Sequence, residues 1–134
     1  AAPWMDRVAA WDDTEADAAI REGLSVDLAA HLQTLFGLSN KEAAQLIGRS
    51  RSTYTRYRNQ GAQLGPAEAE RVVRYVRLVA LAAETFGGQD TAVEWMQEPN
   101  RRLGDRTPLE MAETDPGARV VRDLLLGIQH GHVA

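Results

Sequence analysis

Residues 38–61 read LSNKEAAQLIGRSRSTYTRYRNQG, and the fold turns on how this stretch is read. Ser39 followed three residues later by Glu42 is a capping box, in which hydroxyl and carboxylate each satisfy a free N–H at a helix start. The helix it begins is predicted to run from Asn40 to Ile47. Gly48 then supplies the positive φ of a tight turn. Ser50 caps a second helix over Arg51–Asn59, which Gly61 ends. Two short helices and a turn, about 20 residues in all, have the size of a DNA-reading helix-turn-helix. Ala43 and Ala44 are small enough to let the helices approach. Leu46, Ile47 and either Tyr54 or Tyr57 pack between them. The second helix then presents Ser52, Thr53, Thr55, Arg56 and Asn59 to a groove. Arg49, Arg51 and Arg58 are placed to reach phosphates. Arginine suits both tasks, because its planar fork matches guanine edges and phosphate oxygens.

Charge supports this reading once it is resolved along the chain. The 134 residues carry a net charge of −4, which taken whole argues weakly against nucleic acid. Residues 38–80, however, hold eight bases and three acids. Residues 1–37 hold seven acids and two bases, and residues 81–134 nine acids and five bases. One basic block sits inside an acidic protein. A solvated basic face, or a docking surface for an acidic protein, would have the same charge. The caps and the turn favour the helix-turn-helix.

Outward from the block the signals stay helical. With 44% hydrophobic residues a core is assured, and sparse β-branched residues beside abundant alanine favour helix. Residues 1–23 form an acidic arm, with a short helix after Asp13 or Thr14 or only partial order. Ser25 caps a helix over Val26–Phe36, ended by Gly37. Pro66 opens an unbroken helix to Phe86, with Val72, Val73, Val76, Val79, Ala80 and Ala83 as its apolar stripe. Asp90 caps a helix through Trp95, which Glu98-Pro99 stops. Asn100–Thr107 is a loop. Thr107-Pro108-Leu109-Glu110 combines a cap, a first-position proline and a box glutamate. Asp115-Pro116-Gly117 opens the last helix, with Val120, Val121, Leu124, Leu125 and Ile128. The expectation is an all-α protein of seven or eight helices, with no strand. Its divisions are an arm at 1–23, a DNA-binding domain at 24–65, a connecting helix at 66–88 and a C-terminal domain at 89–134.

Several functions are excluded. There is no cysteine, hence no disulfide scaffold, cysteine nucleophile or cysteine-based metal site. No apolar run approaches the roughly 20 residues that cross a bilayer. The best, Val72 to Ala83, is broken by Arg74 and Arg77. No basic region precedes an apolar run at the N-terminus, so a signal peptide is not expected, and a cytoplasmic protein is the default. His130-Gly131-His132 lacks a third metal ligand at useful spacing. No nucleophile elbow, P-loop or dinucleotide fingerprint occurs. Trp4, Trp11 and Trp95 read as packing residues. Neither an enzyme nor a cofactor is expected.

The C-terminal third carries a resemblance. WMQEPNRRLGDRTPLEMAETDPGARVVRDLLLGIQHGHVA is similar to the C-terminal domain of the Xre-type antitoxins of RES–Xre toxin–antitoxin pairs, also called the MbcA/ParS/Xre family. The matching pieces are Trp95, Pro99-Asn100, Leu103-Gly104, Thr107 to Glu110, Thr114, Gly117, Leu124-Leu125 and His130-Gly131. The 38–61 stretch resembles the family's helix-turn-helix, and LGPAEAERVVRYVRLVALAAETFGG its connecting helix. The resemblance covers about residues 24–134. Two positions depart from it. Arg49 follows the turn glycine where the family has an apolar residue, and His132 stands at the tail where the family has another.

What the resemblance implies is an antitoxin with two tasks. It binds a cognate RES-domain toxin, which acts on NAD by degrading it or by ADP-ribosylation, and it represses its own promoter. The toxin contact falls to Asn100, Arg101, Leu103 and Gly104, with Gly127, His130, Gly131, His132, Val133 and Ala134 at the end that closes the NAD pocket. Operator DNA and a second copy of the chain are the other implied partners. The competing reading is a stand-alone helix-turn-helix regulator with a C-terminal oligomerisation domain.

Overall fold

The structure is a computed structural model and describes residues 2–131. Among these residues it contains nine α-helices, one 3-10 turn and one two-stranded antiparallel pair. The all-α reading holds, with two local differences. The first is a helix, α1 (Pro3–Ala9), ahead of the expected ones. Seven residues are too few for a periodic pattern to show. Burial of Met5 and Val8, at 0% and 3% exposed, is what holds it. The second is the pairing of β1 (Leu24–Ser25) with β2 (Gln63–Leu64). Strands of two residues have no alternation to read. The Val26 N–H, 3.0 Å from the Ala62 carbonyl oxygen, extends this closure.

The described chain forms two compact units. One is Ala10–Val73, and the other joins the described residues before Ala10 to those from Arg74 onward. The first holds α2 (Asp13–Glu22), α3 (Asp27–Phe36), α4 (Asn40–Ile47) and α5 (Arg51–Gln60). It also holds the start of α6 (Pro66–Phe86). α2 begins with an unforeseen capping box between Asp12 and Glu15. Ser25 does not cap α3. It lies in β1, and its hydroxyl accepts from the Asp27 N–H at 3.1 Å, while Val26 occupies the cap position without a side-chain bond. α4 packs on both α3 and α5. The core there is Leu32, Ala43, Ala44, Ile47, Tyr54, Leu64 and Val72, all at most 2% exposed.

The second unit holds the rest of α6, then α7 (Gln89–Met96), α8 (Pro108–Met111) and α9 (Asp115–Gln129). Its α6 stripe is broader than expected, with Tyr75, Leu78 and Ala82 buried beside Val76 and Val79. Ala80 and Ala83 lie at its half-buried margin. Asp90 is not the cap of α7. Gly88 holds that position with no side-chain bond, and Asp90 sits inside the first turn, where its charge still faces the positive end of the helix. The Asn100–Thr107 loop contains a 3-10 turn at Arg101–Leu103, capped by Asn100. The Thr107–Glu110 box forms as expected. α9 is capped by Thr114, whose hydroxyl accepts from the Gly117 N–H at 3.1 Å.

Candidate nucleic-acid interface

The helix-turn-helix is built as its sequence dictates. Ser39 and Glu42 close both halves of the capping box, at 3.1 and 3.0 Å. Gly48 takes φ 73°, so the Arg49 N–H folds back on the Ala44 carbonyl at 3.0 Å. The Ser50 hydroxyl accepts from the Thr53 N–H at 3.2 Å and donates to Thr53 Oγ1 at 3.0 Å.

Side chains outside the motif then hold its two helices and the turn between them. Gln33 of α3 is the first. Its Oε1 accepts from the Tyr54 hydroxyl at 2.6 Å and from Arg58 Nη1 at 3.1 Å. Its Nε2 donates to the Leu38 carbonyl and to Asn40 Oδ1. Glu68 is the second, a buried carboxylate at 8% exposed. It accepts from the Gly65 N–H at 2.9 Å and from the Tyr57 hydroxyl at 3.1 Å, and it pairs with Arg49 Nε at 3.3 Å. Arg71 is the third, donating to the Leu46 and Gln45 carbonyls at the open end of α4. The Gln45 carbonyl also accepts from the Gly48 N–H at 3.1 Å, and the guanidinium fork completes the helix end.

With Tyr54 fully buried, the opposite side of α5 is solvent-facing. Arg51, Ser52, Thr55, Arg56, Asn59 and Gln60 line an open depression of about 600 Å³. They form two rows at four-residue spacing, Arg51–Thr55–Asn59 and Ser52–Arg56–Gln60, and so share one helix face. No carboxylate is among them. Five of the eight residues expected at DNA are therefore brought together. The other three are placed differently. Thr53 is half-buried and bonded to Ser50. Arg49 pairs with Glu68. Arg58 donates to Gln33, and its guanidinium lies 6.0 Å from the centre of the Tyr54 ring. Gln60 was not foreseen, although continuing the Ser52–Arg56 spacing by one step reaches it. Gln33, Glu68 and Arg71 were missed because nothing local marks them.

The second unit is a scaffold of caps. Arg74 Nη1 donates to the Ala112 and Glu113 carbonyls at 3.1 and 2.9 Å, pinning the corner between α8 and α9. Gln129 reaches Thr85 Oγ1 at 2.7 Å. Trp95 packs on Phe86, with ring centres 5.4 Å apart. Of the residues expected at a toxin, Asn100, Arg101, Leu103 and Gly104 share one turn. The Asn100 side chain accepts from the Arg102 N–H at 2.9 Å, Gly104 takes φ 65°, and Arg101 is exposed. Leu103, at 6% exposed, anchors the turn from inside. Gly127 is half-buried on α9, and His130 and Gly131 are exposed at its end. His132, Val133 and Ala134 lie outside the described residues. Asp105, Glu110, Glu113, Asp115 and Asp123 are all exposed.

A helix-turn-helix with an uncluttered polar and basic face, followed by a separate small helical unit, defines a DNA-binding regulator. Comparison with known proteins narrows this. Residues 15–77 match the antitoxin Xre-like helix-turn-helix domain, and residues 81–131 the antitoxin Xre/MbcA/ParS C-terminal toxin-binding domain. An antitoxin Xre of Yersinia enterocolitica is 34% identical over 113 residues, which is 84% of this chain and 76% of that protein. An antitoxin Xre of Photorhabdus laumondii is 31% identical over 119 residues, 88% of this chain and 80% of that protein. The chain belongs to the Xre antitoxin family. It is a DNA-binding, toxin-neutralising antitoxin of a regulatory, non-enzymatic kind. No described helix is long and apolar enough to cross a membrane.

Proposed function

We propose that the toxin is a RES-domain protein acting on NAD, and that the C-terminal domain silences it by covering the NAD pocket. The observation that carries this is the exposed end of α9. His130 and Gly131 stand free of the core while Gln129 is tied to Thr85, so a fixed helix presents its exposed end to a partner. A cleft that holds two phosphates of a dinucleotide is basic at its rim. The five exposed carboxylates from Asp105 to Asp123 complement such a rim. Asn100, Arg101 and Gly104 form the second contact on their capped turn, which Leu103 anchors, and Gly127 with His132, Val133 and Ala134 completes the tail. Residues 89–134 are the neutralising part, 66–88 the connection and 24–65 the DNA-binding part.

On DNA, Arg51, Ser52, Thr55, Arg56 and Asn59 face the groove. Thr53 supports them, and Arg49 and Arg58 flank the phosphates. One short helix reads only a few base pairs. The chain therefore acts as a homodimer in the cytoplasm, reading two half-sites about one turn apart in its own promoter.

The test takes the adjacent reading frame, where a RES-domain toxin is expected, and co-expresses it with a chain lacking His130–Ala134. Loss of growth, with operator binding intact, is the expected outcome. Full neutralisation by the shortened chain would rule out the tail plug. No effect of the neighbouring toxin on growth or NAD, with or without the antitoxin, would remove the RES assignment.

A further inference from the structure

Three of the four arginines on or beside the reading helix have their head groups in different states. Arg49 is paired with Glu68. Arg58 spends a donor on Gln33 and lies on Tyr54. Arg56 is exposed and stands 5.8 Å from the centre of the Tyr57 ring. A cation–π approach of this kind uses none of the guanidinium's N–H donors. Among the described residues those donors have no acceptor. The ring beneath them is itself fixed, because the Tyr57 hydroxyl donates to buried Glu68 at 3.1 Å. Arg56 thus keeps its donor fork unused, beside a ring that is fixed before any ligand arrives. Pre-organisation of this kind costs little entropy on binding.

Position decides what the fork meets. Arg56 lies in mid-helix, flanked by Ser52, Thr55 and Gln60 in the same depression. Arg51 is the first residue of α5, beside the free N–H groups of the first turn. That end suits a phosphate. A mid-face fork in a groove meets base edges instead, and the acceptor pair that fits it is O6 and N7 of guanine. We propose that Arg56 reads one guanine in each operator half-site through a bidentate contact, and that Tyr57 and Glu68 are the positioning residues that hold it ready. This rests on α5 being the helix that enters the groove.

The experiment selects binding sites from a pool of random-sequence duplexes, using the full-length wild-type protein, Arg56→Ala and Tyr57→Leu. Selected wild-type sites should share a guanine per half-site. Replacing it, by adenine or by 7-deazaguanine, should weaken wild-type binding on the order of 10- to 100-fold. Arg56→Ala should bind the guanine, adenine and 7-deazaguanine sites equally, with an unchanged salt slope. Tyr57→Leu should lose most of the discrimination while keeping its affinity for unselected DNA, which simple misfolding would not do. Uniform weakening of every duplex by Arg56→Ala, with the salt slope reduced by about one ion, would make Arg56 a phosphate contact and overturn the proposal. Retained guanine preference in either variant would also overturn it. Failure of the wild-type protein to select any site would instead remove the placement of α5 in the groove.

Discussion

Gly117→Ala sets two effects of opposite sign against each other. Gly117 is the third residue of α9. Inside a helix, alanine is favoured over glycine by about 1 kcal/mol. Propensity alone therefore makes the substitution stabilising. The surroundings say otherwise. A Cβ at this position would overlap the Met111 carbonyl oxygen outright and lie 2.9 Å from both the Met111 carbonyl carbon and Thr114 Oγ1. These are backbone and cap atoms, so no side chain can rotate away. The corner cannot easily open either. Arg74 holds the Ala112 and Glu113 carbonyls from one side, and the Thr107–Glu110 box fixes α8 from the other.

Forced overpacking costs about 1–3 kcal/mol, and immovable neighbours put this site at the upper end. Subtracting the propensity gain leaves about 2 kcal/mol of net destabilisation. For a chain of this length that lowers Tm by roughly 8 °C. Thermal unfolding of the full-length protein, followed by far-ultraviolet circular dichroism, measures it. Gly88→Ala is the control. Its backbone is extended and a Cβ meets nothing within 4 Å, so it should cost less than about 1 kcal/mol. A Gly117→Ala protein as stable as the parent, or more so, would show that the α8–α9 corner yields and that the steric argument is wrong. The same geometry explains why a glycine stands at this point of the family resemblance.

Three further outcomes are expected. Glu68→Ala leaves the Tyr57 hydroxyl and the Gly65 N–H without their buried acceptor, and should cost about 2 kcal/mol in the unfolding free energy measured with urea. Arg51→Ala should weaken operator and unrelated DNA alike, and lower the slope of log K against log salt by about 0.9 in a fluorescence titration. The third concerns acid. The Ser39 backbone N–H and hydroxyl hold the Glu42 carboxyl below its ordinary value, and Thr107 does the same for Glu110, helped by Arg106. A lowered folded value means stability that is full above about pH 4.5 and lost as pH falls through the folded values. Glu42→Gln with Glu110→Gln should flatten the acid limb of Tm against pH, and an unchanged limb would count against the boxes.

What was legible in the sequence, and what was not, follows from how far each signal reaches. A cap, a turn glycine or a first-position proline acts on its own backbone, so α4, α6 and the Thr107 box were found to the residue. Where a cap residue had a choice, the sequence could mislead. Ser25 entered a strand and Asp90 fell inside the first turn, because tertiary pairing and Gly88 took their places. α1 and the two-residue strands were invisible, since each owes its form to contacts from elsewhere. The binding face shows the same division. Helical spacing put Arg51, Ser52, Thr55, Arg56 and Asn59 on α5, but only Gln33 and Glu68 decide which arginines remain free, and they lie 25 and 19 residues from Arg58 and Arg49. The departure at Arg49 illustrates the point. Read alone, an arginine after the turn glycine is one more phosphate contact. Beside Glu68 it is half of an ion pair that joins the turn to α6. The positive charge of the middle segment therefore overstates what reaches DNA. Part of it holds the motif together, and the part left on the open face of α5 can select a sequence.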